Sequence, residues 1–198
     1  MNDAARVRRA TSDDVGAIAR LHAEEVSEGF LAALGRRFLE RLYRRVVAGA
    51  GGGFAVVSVD ASGEVDGFVA VAESTGDLYR SFLLRDGFRA GLSAAPAVAR
   101  HPRMVIETLM HGFGGGPAGG GAEILALAVG SGSRGLGRGK QLVGAATAVL
   151  RDRGVTRAHV VTATDNEAAR RTYEGCGFRS DSTIEVHRGV VQEVLVWH

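Results

Sequence analysis

The chain has 198 residues, 45% of them hydrophobic and 23% charged, a balance that suits one globular domain with a sizeable core and excludes wholesale disorder. Formal net charge is only +2, and Lys140 is the sole lysine, so nearly all the positive charge is arginine. Acids alternate with bases along most of the chain instead of clustering with aromatics on one stretch, which argues against a nucleic-acid partner.

The segment "MNDAARVRRATSDD" carries no apolar leader, and no run approaches the ~18 uninterrupted apolar residues of a membrane span, so a soluble, cytoplasmic protein without stable membrane insertion is expected. "ARVRRAT" then reads as an edge strand. "TSDDVGAIARLHAEEV" reads as a helix capped by Thr11 or Ser12, with Asp13 and Asp14 at its positive end. A second amphipathic helix, "FLAALGRRFLERLYRRVVAG", turns Phe38, Leu39, Leu42, Tyr43 and Val46 inward. "FAVVSVD" and "EVDGFVAVAES" form a hairpin across "DASGE". After Glu73 the pattern predicts an insertion, about 75–118, of two or three helical pieces broken near Gly87 and at Pro96 and Pro102. "GFGGGPAGGG" is a flexible connection, "AEILALAV" (122–129) a strand, and "GKQLVGAATAVLRDRG" a helix. "RAHVVTA" is the next strand. "DNEAARRTYEGCG" is a short helix capped by Asp165 or Asn166, and "FRSDSTIEVH" pairs with "VVQEVLVW". The order β-α-α-β-β, insertion, β-α-β-α-β-β implies an α/β fold with one βαβ crossover flanked by antiparallel hairpins.

The turn "AVGSGSRGLGRGKQLV", 128–143, joins a strand to a helix through closely spaced glycines, a device that offers bare N–H groups to an anion. A phosphate-binding template G-x-x-x-x-G-K-S/T can be laid over 134–141. It fails at both ends, because Arg134 and Gln141 replace the glycine and the hydroxyl. The dinucleotide pattern G-x-G-x-x-G is met by Gly130, Gly132 and Gly135, but Asp165 lies too far along for the ribose acid and too little chain follows for a second half. A third pattern is Q/R-x-x-G-x-G/A after an apolar strand, filled by Arg134, Gly137 and Gly139, with Ser131 where proline is frequent. A second, N-x-x-A-x-x-x-Y-x-x-x-G-F, is filled by Asn166, Ala169, Tyr173, Gly177 and Phe178. Together these resemble the acyl-CoA-binding signatures of the GNAT N-acetyltransferase superfamily, and residues 122–178 carry the strong part of the resemblance.

The resemblance implies a single GNAT-like domain over 1–198, with a mixed, mostly antiparallel central sheet, a βαβ cofactor crossover and a helical insertion between strands 3 and 4. It implies acetyl-CoA, or another short acyl-CoA, as co-substrate. Gly135, Leu136, Gly137, Arg138, Gly139 and Lys140 would begin a helix whose free amides receive the pyrophosphate. Arg134, Arg138 and Lys140 would add charge, although in an arginine-rich chain each also reads as a solvated surface residue. Leu127, Ala128 and Val129 would lie beside the pantetheine arm and supply a main-chain N–H to the thioester carbonyl. Asn166, Ala169 and Arg170 would complete the cofactor contacts.

An alkylamine of pKa ≈ 10.4 is almost wholly protonated at pH 7, an obstacle of about 4–5 kcal/mol that a general base can lower. Glu123 is the candidate base, an exposed strand-end acid being the competing reading, with Glu25, Glu28 and Glu73 in reserve. Tyr173 matches the family's general acid. Cys176 reads as a small residue at a helix end. The six histidines, His22, His101, His111, His159, His187 and His198, show no metal-ligand spacing, so no metal is expected.

The expected reaction moves acetyl from acetyl-CoA to a primary amine of a small molecule by direct attack in a ternary complex. Alternatives are a non-catalytic acyl-CoA sensor, acetylation of a protein amine, or a nicotinamide-binding protein. The insertion, with Arg80, Arg85, Arg89, Arg100 and Arg103 among apolar residues, could form a lid, a homodimer contact or a membrane-surface face.

Overall fold

The computed structural model describes residues 6–26, 31, 34–100, 120–187 and 190–198. In chain order these form β1 (Arg6–Arg9), a 3-10 turn, α1 (Val15–Glu25), α2 (Arg36–Val47), β2 (Phe54–Val59), β3 (Val65–Ala72) and α3 (Thr75–Arg100). Next come β4 (Ala122–Val129), another short 3-10 turn (Ser131–Ser133), α4 (Arg138–Asp152), β5 (Ala158–Ala163), α5 (Glu167–Glu174), β6 (Arg179–His187) and β7 (Val190–Trp197). The seven strands make one sheet in the order β1-β2-β3-β4-β5-β7-β6, antiparallel throughout except where β4 meets β5. The mixed, mostly antiparallel sheet with its crossover is the architecture that the element order implied.

Local chemistry sets the ends of the elements. Asp14 accepts the Thr11 main-chain N–H at 2.8 Å and both Arg8 guanidinium nitrogens at 2.7 and 2.8 Å, which ties the start of α1 to the edge strand. The Arg8 hydrogen bonds hold its carboxyl below the usual carboxylate range. Gly35 adopts φ 85° immediately before α2, which sets the start of that helix at Arg36.

Alternation along β2 and β3 feeds two cores, one on each face. Phe54, Val56, Val69 and Val71 meet Leu142, Val143, Ala146 and Leu150 of α4, with Tyr173 and Phe178 beside them. Ala55, Val57, Phe68 and Ala70 meet Ile18, Leu39, Val46 and Leu78 of α1, α2 and α3. Side chains of this size stabilise the fold by about 1.5–3 kcal/mol each when fully buried.

The expected breaks at Gly87 and Pro96 do not occur, and α3 runs unbroken for 26 residues. A helical glycine costs only about 1 kcal/mol, and Pro96 lies in the last turns, where one lost hydrogen bond interrupts little. Its first half is anchored: Leu78 and Phe82 are buried, the Phe82 ring meets Phe38 edge-on at 5.2 Å, and Arg45 Nε of α2 lies 2.5 Å from Asp86 Oδ2. Pro102 and most of "GFGGGPAGGG" fall outside the described residues.

Candidate active site

β4 and β5 pair over only Ala122–Ala158 and Glu123–His159, and beyond these they part. The neighbouring β3–β4 ladder is irregular in the same region, because Ala70 opposes Ala126 and Val71 opposes Ile124, which leaves Leu125 as a β-bulge. The bulge changes which side chains face which core. Ala122 and Ile124 lie on the α4 and α5 face, Leu125 and Ala126 both on the opposite face, and Leu127 and Val129 on the α4 and α5 face again. Gly130 donates its N–H to the Asp66 carbonyl on β3 at 2.8 Å, so strand alternation turns the Leu127 and Val129 amides toward the opening beside β5. Two adjacent strands have thus separated where main-chain donors point between them.

The turn after β4 is pinned at several points. Gly135 and Gly137 hold φ of 78° and 76°, conformations that favour glycine, and Gly137 caps α4. At Gly139 the constraint is one of space: an added Cβ would lie 3.2 Å from Thr172 Cγ2 of α5 and 4.0 Å from Leu127 Cδ2. Leu136 is exposed. Arg134 donates from Nε to the Val129 carbonyl at 3.3 Å and pairs with Glu25 of α1.

Two basic side chains expected to add charge at this turn, or else to be solvated, point elsewhere. Arg138 is 3% exposed, with Nε 3.3 Å from Asp66 Oδ2, and Asp66 in turn accepts from the Ser58 hydroxyl. Asp66 therefore holds both ends of the turn, Gly130 by its carbonyl and Arg138 by its carboxylate. The Lys140 side chain lies against the C-terminal end of α5, where a Cβ at Gly175 would meet its Cε at 2.8 Å and Nζ at 2.9 Å. A cation suits the negative end of a helix. What remains for an anion is the main chain at the start of α4, where the first N–H groups have no intrahelical partner.

On the α3 face of the sheet, Glu123 Oε2 accepts the Thr75 hydroxyl at 2.6 Å and lies 3.8 Å from His159 Nε2. Its side chain is only 25% exposed, so it is not the free strand-end acid of the competing reading. Burial is the main cause that pushes the His159 imidazole below its ordinary pKa, with Glu123 opposing and Arg157 adding to it. The burial that lifts Tyr79 to about 12 acts together with the nearby Glu123 charge.

On the other face, Tyr173 is buried in α5 against Phe178, ring centroids 5.5 Å apart, and burial raises its phenol well above the ordinary value. Asn166 caps α5, its Oδ1 accepting the Ala169 N–H at 3.1 Å, and Ala169 packs on the core. Arg170 pairs with Glu193 at 2.8 Å and faces Glu174 at 3.8 Å. Of the reserve acids, Glu73 is paired with Arg153 at 2.6 Å, Glu25 is engaged by the turn, and Glu28 lies outside the described residues. Cys176 is a half-buried thiol whose Sγ lies 3.5 Å from the Lys140 carbonyl. Among the described residues no cluster of His, Cys, Asp or Glu could hold a metal ion, and no helix is long and apolar enough to cross a membrane.

The sequence profile of the Acetyltransferase (GNAT) family matches residues 23–178. No curated protein matches the sequence significantly. Among solved structures, a Salmonella typhimurium acetyltransferase with acetyl-CoA is similar at 17% identity and TM-score 0.63, covering 99% of this chain and 94% of that one. A phosphinothricin acetyltransferase from Sinorhizobium meliloti in complex with acetyl-CoA is similar at 14% identity and TM-score 0.62, covering 97% and 86%. A mutant spermidine N-acetyltransferase from Vibrio cholerae is similar at 14% identity and TM-score 0.59, covering 97% and 94%.

Proposed function

The chain belongs to the acetyltransferase (GNAT) family, and from that premise we propose that it moves an acetyl group from acetyl-CoA to a primary amine of a small molecule by direct attack in a ternary complex. The observation that carries this reading is the opening between β4 and β5, which has Glu123 on one face of the sheet and Tyr173 on the other. A thioester, once bound, supplies an activated acyl carbon and a thiolate leaving group.

The residues present fit such a group. Leu127 and Val129 aim amides into the opening, and Gly135 to Lys140 lie at a helix start, where the dipole favours a pyrophosphate. With Arg138 and Lys140 committed elsewhere, recognition of that anion falls mainly to the backbone, with Ala128, Arg134, Leu136, Asn166, Ala169 and Arg170 shaping the surroundings. A gap-facing amide on β4 stabilises negative charge on a carbonyl oxygen.

Glu123, steadied by Thr75, accepts a proton from an incoming ammonium on the α3 face. Tyr173, kept protonated by burial, gives one to a departing thiolate on the α5 face. Acid and base on opposite faces suit attack and departure along one line through the sheet. Small-amine acceptors are favoured by the solved neighbours that act on spermidine and phosphinothricin.

The test is thiol release from acetyl-CoA over a panel of amines, comparing wild type with Glu123→Gln across pH. The variant is expected to lose most rate below the acceptor's pKa, where deprotonation limits. A constant ratio to wild type at every pH removes Glu123 as the base. Thermal protection by NAD and not by CoA would overturn the reading altogether.

A further inference from the structure

α1 ends at Glu25, and the carboxylate of that residue reaches into the turn after β4. Its Oε1 accepts the Ser131 main-chain N–H at 3.0 Å, and its Oε2 meets the Arg134 guanidinium, which also donates to the Val129 carbonyl. One carboxylate, 14% exposed, therefore touches the turn at two places 3 residues apart and, through Arg134, the last residue of β4. The turn has few other means of holding its shape on this side. Added Cβ atoms at Gly132, Gly135 and Gly137 would meet nothing within 4 Å, so among the described residues no side chain packs there. Glycine-rich backbone loses the most entropy when ordered, and a turn ordered in advance spares its ligand that cost.

We propose that Glu25 is a positioning residue for the acyl-CoA site, fixing the path of the chain between the gap-facing amides of β4 and the first turn of α4. The inference rests on the reading of this turn as the pyrophosphate site. It also takes Glu25 out of the acid-base candidates, because both carboxylate oxygens are engaged within the protein.

The sign of the effect separates this role from simple charge. An anionic side chain that merely stood near a pyrophosphate would repel it, so its removal would tighten binding. Removing a positioning carboxylate loosens binding instead. Binding of CoA is measured by calorimetry for wild type, Glu25→Ala and Glu25→Gln, alongside steady-state kinetics.

Glu25→Ala is expected to weaken CoA binding by about five- to thirtyfold, the scale of one or two lost charge-assisted hydrogen bonds. Glu25→Gln, which keeps an acceptor for Ser131, should show a smaller loss and serves as the readout if the alanine variant does not fold. KM for acetyl-CoA should rise in step while kcat at saturation and the shape of its pH profile stay put. Combined with Arg134→Gln, Glu25→Ala should cost less than the two singly measured losses together. Wild type that binds CoA beside variants that bind equally or more tightly overturns the inference alone, as does a fall in kcat with KM unchanged. Wild type that fails to bind CoA overturns the reading of the turn and the inference with it.

Discussion

Tyr173 and Glu123 are each defined by what surrounds their polar atoms. The Tyr173 ring is packed on all sides, yet no hydrogen bond joins its hydroxyl to another described group. Tyr173→Phe should therefore change stability by less than about 1 kcal/mol, since no hydrogen bond to another described group is lost. Turnover should fall by about ten- to a hundredfold, the usual scale for loss of a proton donor, with CoA affinity little changed. Thermal melts and steady-state kinetics on the same preparation check both halves, and full turnover with every accepted amine removes Tyr173 from the role.

Helices and strands carry the next level of constraint, and the glycine turn illustrates how one residue type serves two ends. Gly139→Ala should destabilise the fold by about 1–3 kcal/mol, because its methyl meets Thr172 of α5. Thr172→Ser removes the opposing methyl and should recover most of that loss in a denaturant titration. Gly137→Ala should be indifferent to Thr172→Ser, since its constraint is a left-handed backbone and its surroundings are open.

Much at this level was legible in the sequence. The seven apolar residues among the eight of β4 and the Asn166 cap of α5 announce themselves, because runs and caps are local signals. The bulge at Leu125 was not legible, since "ILALAV" is apolar on both parities and shows no shift of phase. Nor were the partners of Arg138, Lys140 and Glu123, because a charge in a sequence says nothing of the distant carboxylate, helix end or hydroxyl it will meet. Thr75 lies 48 residues from Glu123, and Asp66 lies 72 from Arg138. α3 continues through Gly87 and Pro96 because a helical glycine costs little and Pro96 lies in the last turns, so local punctuation alone overstates the breaks.

Taken whole, the molecule stores a pH dependence on the face that faces α1. His22 is 3% exposed, its Nδ1 2.6 Å from the Tyr43 hydroxyl, and burial pushes its pKa down from 6.5 to about 4. The Tyr43 phenol, raised by burial, stays protonated and shares its hydrogen bond with the neutral ring. Above pH 6.5 neither folded nor unfolded chain carries this proton. As pH falls from there toward about 4, the unfolded chain takes up the proton that the folded one refuses, and about 3 kcal/mol of stability is lost. His22→Gln should lower stability at pH 7 but decline less steeply across that window in chemical denaturation, and an unchanged slope would place the proton elsewhere. Within the same sheet, the separation of β4 from β5 gives the molecule an edge strand in its interior. At a sheet's rim, such unpaired amides invite another polypeptide and with it aggregation. Here the hydrogen-bonding capacity of an edge is kept inside a wedge closed at one end by two residue pairs, away from the rim where strands of separate molecules meet.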